Sequence, residues 1–328
     1  MTSPNPKVLL FSTQKQSFIE DDVRLLEEFS DVKWICAHGL FTAVRIKWSM
    51  LFSDVGIAWF ASVYSAILVF TARFLRKTSI IIVGGADLIT DSHLGYGLLL
   101  SPWKRPFIRY ALRRATHVLP TSEYLRRAAL EVGEYEGDNL STVPPGLNSN
   151  FWQPGGQKEN IVLTVAKCTT KDRIQIKGVD LLLQVAEKMS ETSFQLIGVE
   201  ENFLSKNSFF VPKNVVVSPS MSQQKLLSYY QRSAVYCQLS RVESFGIATA
   251  EAMLCGCIPV VTDVGGLSET IGDTGHTVPP ENVGAASEAI HKALKEANSS
   301  SGEKCRNRAA EKFTVEQRKE SFKAMVFS

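Results

Sequence analysis

The feature that most constrains the fold is a regular alternation of short apolar runs with longer amphipathic segments. In the first half of the chain, runs with the length and composition of strands fall at residues 7–11, 32–36, 55–59, 80–83, 117–120 and 140–143. The segments between them have the length of helices. Because strands that alternate with helices are typical of a parallel sheet with helices on its faces, the pattern predicts an α/β layer structure.

The pattern restarts after a segment rich in Pro, Gly and Asn, STVPPGLNSNFWQPGGQKEN. Strands are predicted at residues 161–165, 194–198, 215–218, 235–238 and 259–262, and helices at residues 178–189, 222–231, 245–255 and 283–297. A chain of 328 residues is long enough for two domains. We therefore expect two doubly wound, Rossmann-like domains, residues 1–148 and 149–308, followed by a C-terminal helix over residues 309–328. In such folds ligands bind at the carboxyl ends of the strands, which predicts a site in the cleft between the domains.

Composition excludes several classes of protein. Thirty-six Lys and Arg against 33 Asp and Glu give a formal charge of +3, too balanced for nucleic acid to be the expected partner. The six cysteines are scattered without a second close pair, so we predict no metal site. The segment MTSPNPKVLLFSTQ lacks the pattern of a signal peptide, and the longest apolar stretch, residues 57–70, is shorter than the roughly 20 residues of a spanning helix. We expect a cytoplasmic protein.

Two glutamates eight positions apart are the most informative local pattern, in VESFGIATAEAMLCGCIPVVTDVGG. Glu243 lies in a predicted loop and Glu251 two turns into a helix that begins near Phe245, so both can line one pocket. The N–H groups of Gly246 and Ile247 at the helix start have no partner within the helix and can donate hydrogen bonds to a phosphate. Carboxylates beside a phosphate-binding helix start can accept hydrogen bonds from the hydroxyls of a sugar that is joined to a nucleotide. The alternative is that the two glutamates are solvated side chains on an ordinary loop and helix.

This stretch resembles the E-x7-E signature of retaining glycosyltransferases of family four, or glycosyl transferases group 1. The likeness covers residues 140–290 and includes TVAKCTTKDRIQIKGVDLLLQVAEKM, FQLIG and VGGLSETIGDTGHTVPP. It implies the GT-B fold, with two Rossmann-like domains facing a central cleft. The amino-terminal domain is then expected to bind the acceptor and the carboxyl-terminal domain the nucleoside diphosphate sugar.

The resemblance implies roles for the matched residues. Glu251 is expected to hold the ribose hydroxyls, Glu243 to act as a catalytic residue on the hydroxyls of the donor sugar, and Lys177 to contact the diphosphate. The helix start that completes the donor site consists of Ser244, Phe245, Gly246 and Ile247. The family usually has a Gly-Arg pair where this chain has Ala166 and Lys167, so the second phosphate-binding cation is open between Arg173 and Lys167.

The amino-terminal half departs further from the family pattern. Ser12 and Thr13 follow the first strand in place of a Gly-rich turn, which puts a phosphate contact from that loop in doubt. Where the family often has a His after the fourth strand, this chain has Gly84, Gly85 and Asp87, with His93 six residues later. Asp87 and His93 are therefore the candidate catalytic residues of this half, either to orient an acceptor hydroxyl or to hold a sugar hydroxyl.

The predicted activity is that of a retaining, metal-independent glycosyltransferase. The chain has no DxD motif, which would hold a metal ion that bridges the diphosphate. It also has no GxGxxG after the first strand and no GxxxxGK[ST], which argues against Rossmann dehydrogenases and P-loop enzymes. No cofactor is expected beyond the substrate, a UDP-sugar or GDP-sugar, and the acceptor is left open among a glycan, a lipid-linked sugar and a small molecule. The alternatives are a non-catalytic nucleotide-sugar-binding partner subunit and a GT-B epimerase.

Basic residues are concentrated in one region. From Lys33 to Arg127, thirteen Lys and Arg stand against four Asp and Glu, a local charge of +9. Within it, SPWKRPFIRYALRRATH combines Arg109, Arg113 and Arg114 with an apolar set: Trp103, Phe107, Ile108, Tyr110 and Leu112. This pattern predicts peripheral docking of that helix on the anionic inner face of a membrane. The alternative is a core helix with an exposed basic face.

Overall fold

The computed structural model describes residues 5–328, so residues 1–4 of the predicted first domain lie outside the described residues. The chain divides into two compact units. The first unit consists of two stretches of the chain, one that ends at Gly146 and a second one, Val315–Ser328. The second unit is Leu147–Thr314. The break after Gly146 lies close to the boundary expected at residue 148.

The first unit contains a five-stranded parallel sheet in the order β2-β1-β3-β4-β5. Its strands are β1 Lys7–Ser12, β2 Asp31–Cys36, β3 Val55–Trp59, β4 Thr78–Val83 and β5 His117–Pro120. Every residue of the central strand β3 is buried. Strands that are covered on both faces have continuous apolar sequences, and for this reason such strands could be predicted from the sequence.

Five helices follow the strands of this sheet: α1 Ser17–Glu27, α2 Leu40–Leu51, α3 Val63–Phe74, α4 Arg105–Arg114 and α5 Glu123–Gly133. On one face of the sheet, α2, α3 and α4 bury Ile46, Val69 and Ile108 in a common core. On the other face, α1 buries Ile19 and Leu26 in a second core. The region between β4 and α4 contains two short 3-10 segments, Leu98–Leu100 and Pro102–Lys104.

The second unit contains a six-stranded parallel sheet in the order β11-β10-β9-β6-β7-β8. Its strands are β6 Glu159–Val165, β7 Ser193–Ile197, β8 Val215–Ser218, β9 Ser233–Gln238, β10 Ile258–Thr262 and β11 His276–Val278. Its helices are α6 Lys171–Ile176, α7 Val179–Lys188, α8 Glu201–Lys206, α9 Gln223–Arg232, α10 Ile247–Leu254, α11 Leu267–Ile271, α12 Val283–Glu296 and α13 Ser299–Lys312. Two parallel, doubly wound units confirm the predicted fold class.

A C-terminal helix is present, but residues 309–328 do not form the single helix that was predicted. Helix α13 ends at Lys312, and the last helix, α14, is Val315–Val326. Between them, Phe313 packs edge-on against Phe245 with 4.9 Å between ring centroids, and Thr314 pairs with Leu147 in an isolated β-bridge. Because these contacts require non-helical backbone, the helical pattern is interrupted, and α14 belongs to the first unit.

Residues 140–143 run beside β5 but do not form the regular strand that was predicted. Leu140 forms an isolated bridge with Val118, and the N–H groups of Ser141 and Val143 donate to the carbonyls of Val118 and Pro120, before the segment continues into Pro144 and Pro145. Proline has no N–H to donate, so pairing along β5 stops there. The sequence analysis missed β11, whose three residues are too short to give a periodic signal.

Candidate functional site

A tight turn between α6 and α7 positions Lys177. Lys177 directly follows α6, and Gly178, with φ of +64°, precedes α7. A Cβ on Gly178 would lie 1.8 Å from the carbonyl oxygen of Leu239, just after β9. Only glycine permits this close approach of the two backbones. The approach packs the Lys177–Gly178 turn against the segment that carries Glu243.

Glu243 forms an ion pair with Lys177. Lys177 Nζ lies 2.7 Å from Glu243 Oε2, and the two side chains are only 24% and 15% exposed. Gln238 Nε2 donates to the same oxygen, and the Ser244 N–H donates to Oε1 at 3.3 Å. The pair thus places one cation and one anion, both already oriented, at the carboxyl end of β9.

The orientation of the Gln238 amide is set by two donors. Its Oε1 accepts from Tyr236 Oη at 3.1 Å and from Thr249 Oγ1 at 2.9 Å. The Nε2 group is therefore directed at Glu243. Burial raises the pKa of Tyr236 well above its usual value, so the phenol stays a donor. The sequence analysis missed Gln238, for which the only signal was a polar residue at the end of an apolar strand.

Helix α10 begins directly after this segment, at Ile247 rather than near Phe245 as predicted. Gly246 precedes it with φ of +94°, and the first hydrogen bond within the helix runs from the Ala250 N–H to the Gly246 carbonyl. The backbone N–H groups of the first turn therefore have no partner within the helix and present the positive end of its dipole. Ser244 and Phe245 are buried and fix the approach to this helix start.

Glu251 lies on α10 and is 8% exposed. Tyr230 Oη donates to Glu251 Oε2 at 3.0 Å. Burial, followed by the nearby Glu251 charge, raises the pKa of Tyr230 well above its usual value, so its hydroxyl remains protonated. The structure thus gives Glu251 a fixed carboxylate orientation rather than the solvated state that was the alternative.

Arg241 is a positioning residue that the sequence analysis missed. Its Nη1 and Nη2 donate to the two carboxylate oxygens of Asp180 at 2.7 and 2.8 Å, and Nη1 also donates to the Gln175 carbonyl at 2.6 Å. The guanidinium also pairs with Glu281, and the Arg241 N–H donates to the Ile176 carbonyl at 2.8 Å. Arg241 thus fastens the segment carrying Glu243 to the end of α6 and the start of α7.

Lys167 and Arg173, the two candidates for a second phosphate-binding cation, are both exposed. They flank Cys168, which is buried and whose thiol lies 3.3 Å from the Arg173 carbonyl oxygen. Thr170 caps α6 by accepting a hydrogen bond from the Arg173 N–H at 3.3 Å. Both side chains are accessible, so the choice between them stays open.

In the first unit, Asp87 is buried and held by backbone N–H donors. Asp87 is fully buried, and its oxygens accept hydrogen bonds from the N–H groups of Ala61 and Gly85, each at 2.8 Å, and of Gly84 at 3.3 Å. Burial raises its pKa to about 6. Asp87 thus ties the end of β3 to the end of β4, and its catalytic role stays a prediction.

His93 is exposed on the segment between β4 and α4, where its N–H donates to Asp91 Oδ1 at 2.9 Å. Its role stays a prediction. Among residues 5–328, no group of three or more His, Cys, Asp and Glu is arranged to hold a metal ion. Within the same residues, no helix is both long and apolar enough to cross a membrane.

Comparison with known proteins gives a family match and two informative relatives. Residues 150–312 match the family model described as glycosyl transferases group 1. A D-inositol 3-phosphate glycosyltransferase of Nocardiopsis dassonvillei is 26% identical over 176 residues, 47% of this chain and 41% of that protein. The GPI3 subunit of phosphatidylinositol N-acetylglucosaminyltransferase from Saccharomyces cerevisiae is 24% identical over 211 residues, 58% of this chain and 45% of that protein. The chain thus spans less than half the length of these two relatives.

A solved structure covers nearly the whole chain. The Anabaena protein Alr3699/HepE, crystallised in complex with UDP-glucose, aligns with a TM-score of 0.78 over 98% of this chain and 99% of that chain, at 13% identity. At this identity the likeness shows the fold alone.

Proposed function

Since this chain belongs, through residues 150–312, to the glycosyl transferases group 1 family and has the GT-B fold, we propose that it transfers a sugar from a nucleoside diphosphate sugar to an acceptor hydroxyl. The observation that carries the proposal is the Lys177–Glu243 pair at 2.7 Å, three residues before the Gly246 that precedes α10. A cation, a carboxylate and a helix start in one place match the diphosphate and the hydroxyls of such a donor.

Lys177 and the start of α10 bind the diphosphate in this proposal. A lysine has three N–H donors, so Lys177 can keep its contact with Glu243 and still donate to a phosphate oxygen. Arg173 or Lys167 supplies the second cation. The crystallisation of Alr3699/HepE with UDP-glucose supports a uridine donor, and GDP-sugars remain in the panel to be tested.

The two carboxylates bind hydroxyl groups. Glu243 accepts from the hydroxyls of the donor sugar, because its position beside Lys177 places it next to the diphosphate. Glu251 accepts from the ribose hydroxyls, and the hydrogen bond from Tyr230 orients its carboxylate for this task. Arg241 and Gln238 touch no substrate in this scheme and position Glu243.

We propose that transfer retains the anomeric configuration and needs no metal ion. The acceptor oxygen attacks the anomeric carbon from the face that the diphosphate leaves, the carbon–diphosphate bond breaks, and the leaving oxygen takes the acceptor proton. The negative charge that develops on the diphosphate is met by Lys177, the second cation and the α10 dipole, which are in place before reaction. This scheme explains why no dedicated base is needed.

The first unit binds the acceptor in this proposal, with His93 as a candidate contact. Both curated relatives have names that contain inositol, so inositol phosphates and phosphatidylinositol belong in the acceptor panel beside glycans and lipid-linked sugars.

Release of nucleoside diphosphate from UDP- and GDP-sugars tests the proposal. We expect slow release from one donor alone, faster release with an acceptor, and loss of both in Glu243→Gln and Lys177→Met variants. If the chain binds nucleotide but shows no turnover with any acceptor of the panel, the proposed transferase activity is contradicted and a non-catalytic partner subunit is favoured. An interconversion of two nucleotide sugars without release favours an epimerase.

A further inference from the structure

The outer surface of the first unit carries large apolar side chains that no other part of residues 5–328 covers. On and around α2, Phe41, Trp48 and Phe52 are 84%, 63% and 61% exposed, and on α3 Phe70 and Phe74 are 57% and 81% exposed. Leu40, Val44 and Leu51 extend the same surface. We call these eight side chains the α2–α3 face. A contiguous exposed apolar surface of this kind is uncommon on soluble proteins and marks an interaction site.

The spacing of these residues makes the face continuous. Phe41, Val44 and Trp48 are three and four positions apart, so they lie along one side of α2, while Ile46 and Met50 on the other side are fully buried. Phe70 and Phe74 are likewise one turn apart on α3, which packs against α2. The helices are thus apolar on both their inner and outer sides, which core packing alone does not require.

The charged residues around the α2–α3 face indicate which kind of partner it can bind. Residues 40–52, 63–77 and 98–116, which include α2, α3 and α4, contain no Asp or Glu. Their exposed basic residues are Arg45, Lys47, Arg73, Arg76, Arg105, Arg113 and Arg114. On the opposite face of the sheet, α1 alone carries four acids, Glu20, Asp21, Asp22 and Glu27. The charged side chains of α2 and α3 are therefore all basic, and the acid closest in sequence to the face is the exposed Asp54, two residues after Phe52.

Helix α4 contributes less than the sequence predicted. Ile108 and Leu112 are fully buried, so Phe107 is the exposed large apolar residue of α4, next to Trp103 in the 3-10 segment before it. Arg109 and Arg113 donate to the carbonyls of Val132 and Gly133 at the end of α5 and are partly engaged there. Lys77 is similarly used, because its ammonium binds the carbonyls of Met50, Leu51 and Ser53 at the end of α2. The unengaged cations are mainly those on α2 and α3.

We propose that the α2–α3 face docks on an anionic lipid bilayer, with its aromatic side chains in the headgroup layer and Arg45, Lys47, Arg73 and Arg76 at the lipid phosphates. A second copy of the chain is a poor partner for this face, because a two-fold interface would bring the same basic groups together. Aromatic side chains bordered by Lys and Arg are instead the composition of a surface that lies in a membrane interface. The proposal concerns docking only and does not rest on the transfer reaction.

Electrostatics gives the size of the effect. Each Lys or Arg near an anionic leaflet contributes about fivefold to the partition coefficient, so four give roughly several hundredfold, and salt weakens this contribution. The apolar side chains add an attraction that salt does not weaken. Together they predict reversible binding that depends on both anionic lipid and the exposed aromatics.

Sedimentation of the full-length chain with vesicles tests the proposal. We expect binding to vesicles of equal parts phosphatidylglycerol and phosphatidylcholine at low salt, with much weaker binding to phosphatidylcholine alone and in high salt. The fluorescence of Trp48, a highly exposed tryptophan of this face, should shift to the blue on binding, which a Trp103→Phe background isolates from the other highly exposed tryptophan of the described chain. Failure to bind the anionic vesicles at low salt, or equal binding to both vesicles, overturns the proposal.

Variants of the α2–α3 face distinguish docking on a bilayer from self-association and from a general loss of surface charge. Phe41→Ser/Trp48→Ser/Phe74→Ser should weaken vesicle binding at least tenfold, and Lys47→Gln/Arg73→Gln/Arg76→Gln should weaken it about a hundredfold at low salt. The matched controls in the second unit, Phe210→Ser and Lys206→Gln/Lys213→Gln, change equally exposed side chains and should bind as wild type. Equal losses in variants and controls overturn the proposal. So does concentration-dependent dimerisation that the triple Ser variant abolishes, because the face then covers a second copy.

Discussion

The contacts of Arg241 make it the most testable element of the site. We consider Arg241→Met, which keeps much of the apolar stem and removes every guanidinium hydrogen bond. In the wild type the guanidinium binds both carboxylate oxygens of Asp180, at 2.7 and 2.8 Å, and the Gln175 carbonyl at 2.6 Å. The side chains of Arg241 and Asp180 are 19% and 18% exposed. The variant therefore leaves a mostly buried carboxylate and a carbonyl without these donors.

The expected cost follows from that burial. A buried polar group left without its partner costs about 1–3 kcal/mol, so two such groups predict a loss of about 2–6 kcal/mol in the free energy of unfolding. Because Arg241 also holds the segment that carries Glu243, we expect affinity for nucleoside diphosphate to fall as well. Asp180→Leu introduced into the Arg241→Met background should recover part of the stability, since it removes the stranded charge.

Urea unfolding and calorimetric titration with UDP measure the two effects. Arg232→Met is the matched control, because Arg232 also binds both oxygens of a carboxylate, that of Glu159, at 2.7 and 3.0 Å. That pair is exposed, so its loss should leave the urea midpoint nearly unchanged. The reasoning is refuted if Arg241→Met unfolds at the same urea concentration as Arg232→Met, or if it binds UDP as tightly as wild type while losing stability.

Three further predictions concern other parts of the chain. Arg318→Met should lower the free energy of unfolding by about 3–5 kcal/mol in thermal or urea melts, because Arg318 and Asp22 form an ion pair at 2.5 Å with side chains 3% and 4% exposed; a loss under 1 kcal/mol contradicts this. Burial raises the pKa of Asp87 to about 6 from 3.8, so between these values the fold binds more protons than the unfolded chain and stability falls as pH rises. Urea midpoints should show this slope in wild type and not in Asp87→Asn, and equal slopes would contradict it. Sugar transfer should persist in excess chelator, and full loss that is restored by manganese or magnesium contradicts the proposed leaving-group stabilisation.

The parts of the fold that were predictable are those governed by local periodicity. Strands such as β4, with the sequence TSIIIV, are buried along their length and therefore read as apolar runs. The proximity of Lys177 and Glu243 was suggested by the family resemblance, and the structure places the two side chains 2.7 Å apart, while their roles stay predictions. The exact start of α10 was missed by two residues, since Gly246 adopts a left-handed conformation that spacing does not reveal.

Contacts between distant residues could not be predicted. Arg241 meets Asp180 across 61 positions and Arg318 meets Asp22 across 296, and no local pattern joins either pair. The backbone donors that surround Asp87 likewise leave no trace in the sequence. The apolar outer side of α2 was missed for a related reason. The sequence LFTAVRIKWSML is apolar around the whole helix and is therefore typical of a core helix as much as of an exposed one.

The most direct test of the proposed donor site is calorimetric titration of UDP and GDP into wild type, Lys177→Met and Glu251→Gln. Both side chains are expected to make charge-assisted contacts, each worth roughly 1.5–3 kcal/mol, so each variant should bind about ten- to a hundredfold more weakly. Lys188→Met, which changes an exposed lysine at the end of α7, is the matched control and should bind as wild type. Wild-type affinity in both Lys177→Met and Glu251→Gln, with the fold intact by circular dichroism, would contradict the assignment of the donor site.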